Sequence, residues 1–156
     1  MSAVVYSPTG AIVFEHSSIM KTSMEKMIDF HENASPATLT PPPIFMKITE
    51  DNRTSMTKGD LKFTMWFGPV PIKWHAQHQE GPTKYSFADL MLEGPLAYWR
   101  HEHIFEAVDG GVMLTDRITI THPLGWKGWL TRLFFDGPAL RFLFMYRHLR
   151  TRLAVQ

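Results

Sequence analysis

Hydrophobic and polar side chains alternate along most of this chain, and such alternation predicts β-strands. The first alternating segment covers residues 11–18, and others follow from residue 44 to residue 121, separated by Gly-Pro or Asp-Gly turn signals. Alternate side chains of a strand point to opposite faces of a sheet. Because the segments follow one another so closely, they predict a curved antiparallel sheet of about six to seven strands.

Two segments follow the helical period instead. After the first strand, Thr22 and Glu25 match a capping box, and Met27, Ile28 and His31 continue a short amphipathic helix. The last quarter predicts a largely buried terminal helix, with apolar residues near one face: Leu130, Leu133, Phe134, Leu140 and Phe144. Asp136-Gly137-Pro138 interrupts it, which predicts either two helices or one kinked helix, the longer piece covering about residues 138–152. The predicted fold class is α+β.

The most informative strand covers residues 99–105, because its two faces differ so strongly. Trp99, His101, His103 and Phe105 share one face, while charged side chains dominate the other. The aromatic rings are expected to turn this face inward, since exposing them would forfeit several kcal/mol of burial, roughly. Both imidazoles are therefore predicted to lie on the concave side of the sheet.

Two carboxylates, Asp89 and Asp116, lie on the predicted neighbouring strands at positions that also face inward. His78 is a further candidate for the same surface. One interpretation is a buried polar network that fixes the strand register. The others, in descending order, are a polar anchor for a ligand, an acid–base pair, and a metal site. No HExxH, Walker, GxGxxG or GxSxG pattern occurs.

In this order of elements, the chain resembles the START-related SRPBCC superfamily of polyketide cyclase-like and lipid-transfer-like domains. The resemblance covers almost the whole chain and is closest to one bacterial subgroup that has the Trp-x-His-x-His element. The matching segments are residues 19–30, Pro41-Pro42, Phe87-Ala88-Asp89, Gly94-Pro95, residues 99–105, Asp116-Arg117-Ile118 and residues 143–147. The superfamily holds binding proteins, transfer proteins and enzymes on one helix-grip fold.

The resemblance implies a deep cavity between the sheet and the terminal helix, holding a small hydrophobic or amphipathic molecule. Apolar residues on the predicted inner faces agree with such a cavity, although composition alone favours a dry, filled core, and it is the resemblance that favours the cavity. Arg147 lies one turn from Phe144, so its guanidinium is expected to face inward and to need a carboxylate from the protein or a ligand. The expected ligand-binding residues are Phe63, Met65, Trp74, His78, Phe87, Asp89, Trp99, His101, His103, Phe105, Ile118, Phe144 and Arg147.

Three functions follow from these features. The first is ligand binding, with possible roles in transport or sequestration. The second is a cyclase or dehydratase that uses His101 or His103 with Asp89 or Asp116 as acid and base. The third is an interaction module with a filled core. Neither a cofactor nor a metal ion is expected from the motifs.

Composition narrows these classes further. A chain of 156 residues is expected to form one domain, over residues 1–156. Its net charge of +1 argues against nucleic-acid binding, and the absence of cysteine excludes disulfides and thiolate chemistry. No apolar segment approaches the roughly 20 residues that span a bilayer, and residues 1–9 lack the pattern of a secretory signal. A cytoplasmic monomer or homodimer is expected. Trp66, Trp126 and Trp129 are candidates for a cavity rim or a dimer surface, and partial burial under loops is an equal alternative.

Overall fold

The computed structural model describes the backbone of residues 2–6 and residues 10–156 in full. Part of residues 1–9, where no secretory signal is expected, therefore lies outside the described residues. The strands are β1 (Ser2–Tyr6), β2 (Ile12–Met20), β3 (Ile44–Asp51), β4 (Gly59–Phe67), β5 (Val70–Glu80), β6 (Ser86–Glu93), β7 (Tyr98–Val108) and β8 (Gly111–Thr121). The helices are α1 (Met24–Asn33), α2 (Trp126–Phe135) and α3 (Gly137–Val155), with a 3-10 turn at Pro36–Leu39.

The described strands form one antiparallel sheet in the order β1-β2-β8-β7-β6-β5-β4-β3. The predicted α+β class and the antiparallel sheet are confirmed. The structure adds an edge strand, β1, which pairs with β2 and has no counterpart in the sequence analysis. Within the sheet, β7 lies between β6 and β8, so that His101 is opposite Asp89 and His103 is opposite Asp116.

The predicted inner faces of the strands are confirmed. Trp99, His101, His103 and Phe105 are all buried on the concave side. One core cluster joins Phe14, Trp74, Trp99 and Ile118 to α2 and α3 through Phe135, Leu140 and Phe144. A second cluster packs Phe87 and Phe105 against Met27 of α1 and Val155 of α3. The terminal helix therefore closes the core along its whole length.

The chain between β2 and α1 differs from the predicted capping box. Ser23, not Thr22, is the N-cap of α1, and its hydroxyl accepts a hydrogen bond from the backbone N–H of Lys26 at 3.3 Å. The Thr22 hydroxyl instead donates to the carbonyl oxygen of Val155, at 2.9 Å. Thr22 thus ties the start of α1 to the end of α3.

The predicted break in the terminal helix is confirmed, but its predicted burial is wrong. Asp136 caps α3 by accepting a hydrogen bond from the backbone N–H of Gly137 at 2.8 Å. A helix that packs on one sheet face buries only one stripe of side chains. In α3 this stripe is Leu140, Phe144, His148, Thr151 and Val155, whereas Phe142, Met145, Leu149 and Leu153 are exposed.

The same limit applies to α2, which buries Gly128, Thr131 and Phe135 toward the sheet. Leu130, Leu133 and Phe134, predicted on the buried face with Leu140 and Phe144, are at least 38% exposed. Trp126 and Trp129 are also exposed, and neither lines the central cavity. Among the described residues, neither α3 nor any shorter helix has the length and apolar character needed to cross a membrane.

Candidate functional site

A cavity of about 240 Å³ lies between the concave face of the sheet and α3, bordered by the 3-10 turn and the end of α1. Most of the predicted ligand-binding residues line it: Phe63, Met65, Trp74, His78, Phe87, Asp89, Trp99, His101, His103, Phe144 and Arg147. Phe105 and Ile118 do not. Phe105 packs against Met27 in the core beside α1, and Ile118 is covered within the core cluster that holds Phe14.

Other lining residues are absent from the predicted set. They come from the end of α1, the 3-10 turn, β3 and the α2–α3 junction, and include His31, Leu39, Met46, Phe135 and Leu143. His31 already stands on the predicted apolar face of α1, so the helical spacing indicated its burial. The residues around Pro36 carry no periodic pattern, so nothing in the sequence indicated that this turn folds over the cavity.

Asp116 is the centre of a buried polar network, with a side chain only 3% exposed. One of its carboxylate oxygens, Oδ1, lies 2.6 Å from His101 Nε2 and 3.0 Å from His103 Nδ1. Its other oxygen, Oδ2, lies 2.6 Å from His148 Nε2. A single carboxylate therefore holds three imidazoles, two from β7 and one from α3.

Asp89 lies beside the other ring nitrogen of each of the same two β7 histidines. Its Oδ2 lies 3.3 Å from His103 Nε2 and 3.4 Å from His101 Nδ1. The two imidazoles are close to each other, with ring centroids 3.8 Å apart. Asp89 is the more accessible carboxylate, with a side chain 19% exposed and facing the cavity. This cluster of Asp89, His101, His103, Asp116 and His148 is called the His–Asp cluster below.

His148 was missed by the sequence analysis, although it follows Phe144 by four residues on the buried face of α3. That spacing was the available signal. Its second ring nitrogen, Nδ1, lies 2.5 Å from the hydroxyl oxygen of Ser18 on β2. The ring thus connects α3 to two strands, and its edge packs against the ring of His16 at a centroid distance of 4.4 Å.

Burial and neighbouring charges act in opposite directions on the cluster. Burial alone would raise the pKa values of Asp89 and Asp116, but the adjacent imidazoles bring both well below the usual range for a carboxyl. Burial, reinforced by His103, lowers the pKa of His101. For His103 burial also opposes the charge, yet Asp116 and then Asp89 raise its pKa above the ordinary value. The carboxylates are therefore ionised, and of the two β7 imidazoles His103, not His101, is the one that carries an extra proton.

The remaining cavity histidines are held neutral. Burial lowers the pKa of His31 to about 3, and its Nδ1 lies 2.8 Å from the Met27 carbonyl oxygen. Burial also lowers the pKa of His78, whose Nδ1 lies 2.7 Å from the carbonyl oxygen of Met56. His78 stacks on the ring of Phe87, which in turn stacks on His103 at 4.1 Å between ring centroids. These rings form one wall of the cavity beside the His–Asp cluster.

Arg147 faces the cavity, as predicted, and lies over the ring of Phe144 at 5.8 Å. Burial lowers the pKa of Arg147, and the charges of Asp116 and Asp89 partly restore it. No carboxylate among the described residues lies within 4.0 Å of its guanidinium. By contrast, Arg53, which also lines the cavity, forms an ion pair with Asp51 at 2.7 Å. Arg147 is therefore a charged donor available to a molecule in the cavity.

The cavity has an apolar region and a polar region. Phe67 contacts both Phe134 and Phe135, and Trp74 and Trp99 pack on Phe135. The polar region consists of the His–Asp cluster with Arg147. It can donate and accept hydrogen bonds, exchange protons near neutral pH, or hold a cation. A molecule that fits both regions must itself be amphipathic.

Comparisons with known structures identify the fold. At TM-score 0.62, the chain is similar to a START superfamily protein from Mycobacterium smegmatis, with 9% identity over 92% of this chain and 96% of that one. It is also similar to the Zhui aromatase/cyclase from Streptomyces sp. R1128, at TM-score 0.60 and 14% identity, covering 93% and 91% of the two chains. Ara h 8.0201 matches at TM-score 0.56 and 15% identity, covering 91% and 98%.

These similarities show that the chain has the START-related, SRPBCC-type helix-grip fold, as the sequence resemblance implied. Comparison of the sequence with protein-family models and with curated proteins finds no match. With identities of 15% or less, the structural neighbours establish the fold and leave the chemistry to the residues of this chain.

Proposed function

We propose that this protein binds a small amphipathic molecule in the cavity between the sheet and α3. The observation that carries the proposal is the division of one cavity into an aromatic region and a charged region. The volume of about 240 Å³ is slightly below the usual range for ligand pockets, roughly 300–1,000 Å³, so the ligand is small. The apolar body lies against Phe135 and Trp74, and the polar end lies beside Arg147, next to the His–Asp cluster.

Arg147 defines the polar end of the ligand. A guanidinium that lines the cavity and has no carboxylate partner within the described part of the chain is satisfied best by an acidic or strongly hydrogen-bonding group. Asp89 and Asp116 repel an anion that approaches too closely, so the ligand group is expected to bind on the Arg147 side. The cavity favours this function over that of an interaction module with a filled core.

The test begins with identification of the ligand. Protein purified from its own host is examined by native mass spectrometry, and any bound molecule is released and identified. An amphipathic molecule present at a stoichiometry near one per chain supports the proposal. A chain that never carries such a molecule, and that binds no member of an amphipathic compound set, contradicts it.

A pair of tryptophan substitutions tests the location. Ala139 lies on α3 and lines the cavity, so Ala139→Trp fills part of the volume with an indole ring. Ala154 is exposed near the end of the same helix, and Ala154→Trp is the matched control. Ligand binding should be lost in Ala139→Trp and retained in Ala154→Trp. Equal binding by both variants would place the ligand elsewhere. Conversion of the bound molecule into a product by the wild-type protein would instead support the cyclase or dehydratase alternative.

A further inference from the structure

We propose that Asp89, His101 and His103 form a binding site for a divalent transition-metal ion of the Zn²⁺ class. The donor atoms of these three residues lie within 4.8 Å of one another, so small side-chain adjustments bring all three to one ion. Among the interpretations of these residues a metal site comes last, because a sequence does not position nitrogen and oxygen atoms. The tertiary structure places them in a ligand geometry.

The distances to Asp89 match those between ligands of one tetrahedral ion. Zn²⁺ binds imidazole nitrogen and carboxylate oxygen at about 2.0–2.1 Å, so two of its ligands are about 3.3–3.4 Å apart. Asp89 Oδ2 lies 3.3 Å from His103 Nε2 and 3.4 Å from His101 Nδ1. These two distances are longer than those of strong charge-assisted hydrogen bonds, which are typically about 2.7–2.9 Å. An ion between them would satisfy all three.

The outer contacts of the two imidazoles are those of metal-binding histidines. Such histidines usually bind the ion through one ring nitrogen and donate from the other to a carboxylate. Asp116 Oδ1 receives the second nitrogen of both rings, His101 Nε2 at 2.6 Å and His103 Nδ1 at 3.0 Å. His148 fixes Asp116 through its other oxygen, so the outer carboxylate is itself held in place.

The charges around the site favour a cation. Two ionised carboxylates, Asp89 and Asp116, flank the two imidazoles, and Arg147 is the neighbouring cation that opposes them. A divalent ion bound by the Asp89 carboxylate and the two neutral imidazoles carries a net charge of about +1, which the anionic end of a ligand can balance. The competing occupant is a single proton shared between Asp89 and the rings.

The donor set selects the kind of ion. Two imidazoles and one carboxylate suit Zn²⁺, Co²⁺ or Fe²⁺, whereas Mg²⁺ and Ca²⁺ prefer oxygen ligands alone. Three protein ligands leave a coordination position open toward the cavity, as in catalytic rather than structural zinc sites. The strands β6 and β7 hold the ligands on adjacent positions of a rigid sheet, with His101 directly opposite Asp89.

The test uses the metal alone, without any cavity ligand, so its result is independent of the proposed function. Tag-free protein is treated with a chelator, freed of it, and titrated with Co²⁺ by absorbance and with Zn²⁺ by calorimetry. The expected result is one ion per chain. In Asp89→Asn and in His103→Gln the dissociation constant should rise by about tenfold or more.

A surface pair serves as the control. His75 Nε2 lies 2.9 Å from Asp60 on the outer side of the sheet, and His75→Gln should leave metal binding unchanged. Asp89→Asn has nearly the same shape as the native residue and sits at the partly exposed cavity wall, so it is expected to fold even if His103→Gln does not. Folded wild-type protein that binds no stoichiometric ion would show that a proton alone occupies the cluster. Wild-type affinity in Asp89→Asn would equally overturn the site.

Discussion

Removing the carboxylate of Asp116 tests whether the His–Asp cluster stabilises the fold. Asp116→Ala leaves three imidazoles, those of His101, His103 and His148, without their common acceptor. Removing one partner of a buried ion pair typically costs about 3–5 kcal/mol, since the other partner stays buried. Water cannot easily replace the carboxylate, because all three histidine residues are at most 5% exposed. We therefore expect a loss of about 3–5 kcal/mol in the free energy of unfolding.

The assay is urea-induced unfolding, followed by tryptophan fluorescence and by circular dichroism. If the slope of free energy against urea is unchanged, the shift in midpoint reports stability alone. For a chain of this size the same loss lowers the melting temperature by roughly 6–20 °C. Asp116→Asn, which keeps an acceptor oxygen but not the charge, should fall between wild type and Asp116→Ala.

The matched control is Asp60→Ala, which removes a carboxylate that also pairs with a histidine, His75, at 2.9 Å. The Asp60 side chain is 39% exposed and the His75 side chain 16%, so this pair is far more accessible to water than the Asp116 network and should be worth about 1 kcal/mol. If Asp116→Ala and Asp60→Ala destabilise the protein equally, the network contributes no more than a surface pair, and the reasoning from burial is wrong.

Three further predictions concern binding, the β7–β8 turn and pH. Arg147→Met should weaken binding of the identified ligand strongly, whereas the exposed Arg150→Met should not; equal small effects would remove Arg147 from the site. Gly111→Ala should destabilise the protein by about 1–3 kcal/mol in urea unfolding, because φ is +150° and a Cβ would clash with a backbone carbonyl of β2. Gly110→Ala is the control and should cost less, since there is open space around Gly110. Burial, with His148 beside it, lowers the pKa of His16 to about 4, so the native state disfavours its protonation. The free energy of unfolding should therefore fall as the pH drops from about 6.5 toward 4, and it should fall less steeply in His16→Asn. Parallel pH curves for the two proteins would contradict this.

Local patterns predicted most of the sheet. Alternation with period two is a property of consecutive residues, so Trp99, His101, His103 and Phe105 could be assigned to one face without knowing what lies opposite. The same parity placed Asp89 and Asp116 on the concave side, where the structure finds them. The helix break at Asp136 could also be read locally, since capping by an aspartate before Gly-Pro needs no distant partner.

The burial of the terminal helices could not be read in this way. Apolar residues surround α3 on most sides, and the pattern alone does not say which stripe meets the sheet. The packing of α3 selects Leu140, Phe144 and His148 for the interior and leaves Phe142 and Met145 in solvent. The prediction that Phe105 and Ile118 line the cavity was wrong for a related reason. An inward-facing side chain can contact either a cavity or another side chain, and strand parity does not distinguish the two.

The sequence by itself determined the fold class, the inward face of β7 and the residue types that gather there. Only the tertiary structure decided that one carboxylate, Asp116, holds His101, His103 and His148 together, and that Asp89 meets the opposite sides of two of those rings. The register of β6, β7 and β8 positions Asp89, His101, His103 and Asp116, and the docking of α3 adds His148, 32 residues after Asp116. Hydrogen-bond and metal-ligand geometry depends on differences of a few tenths of an ångström, which arise from the packing of whole elements and leave no trace in local periodicity.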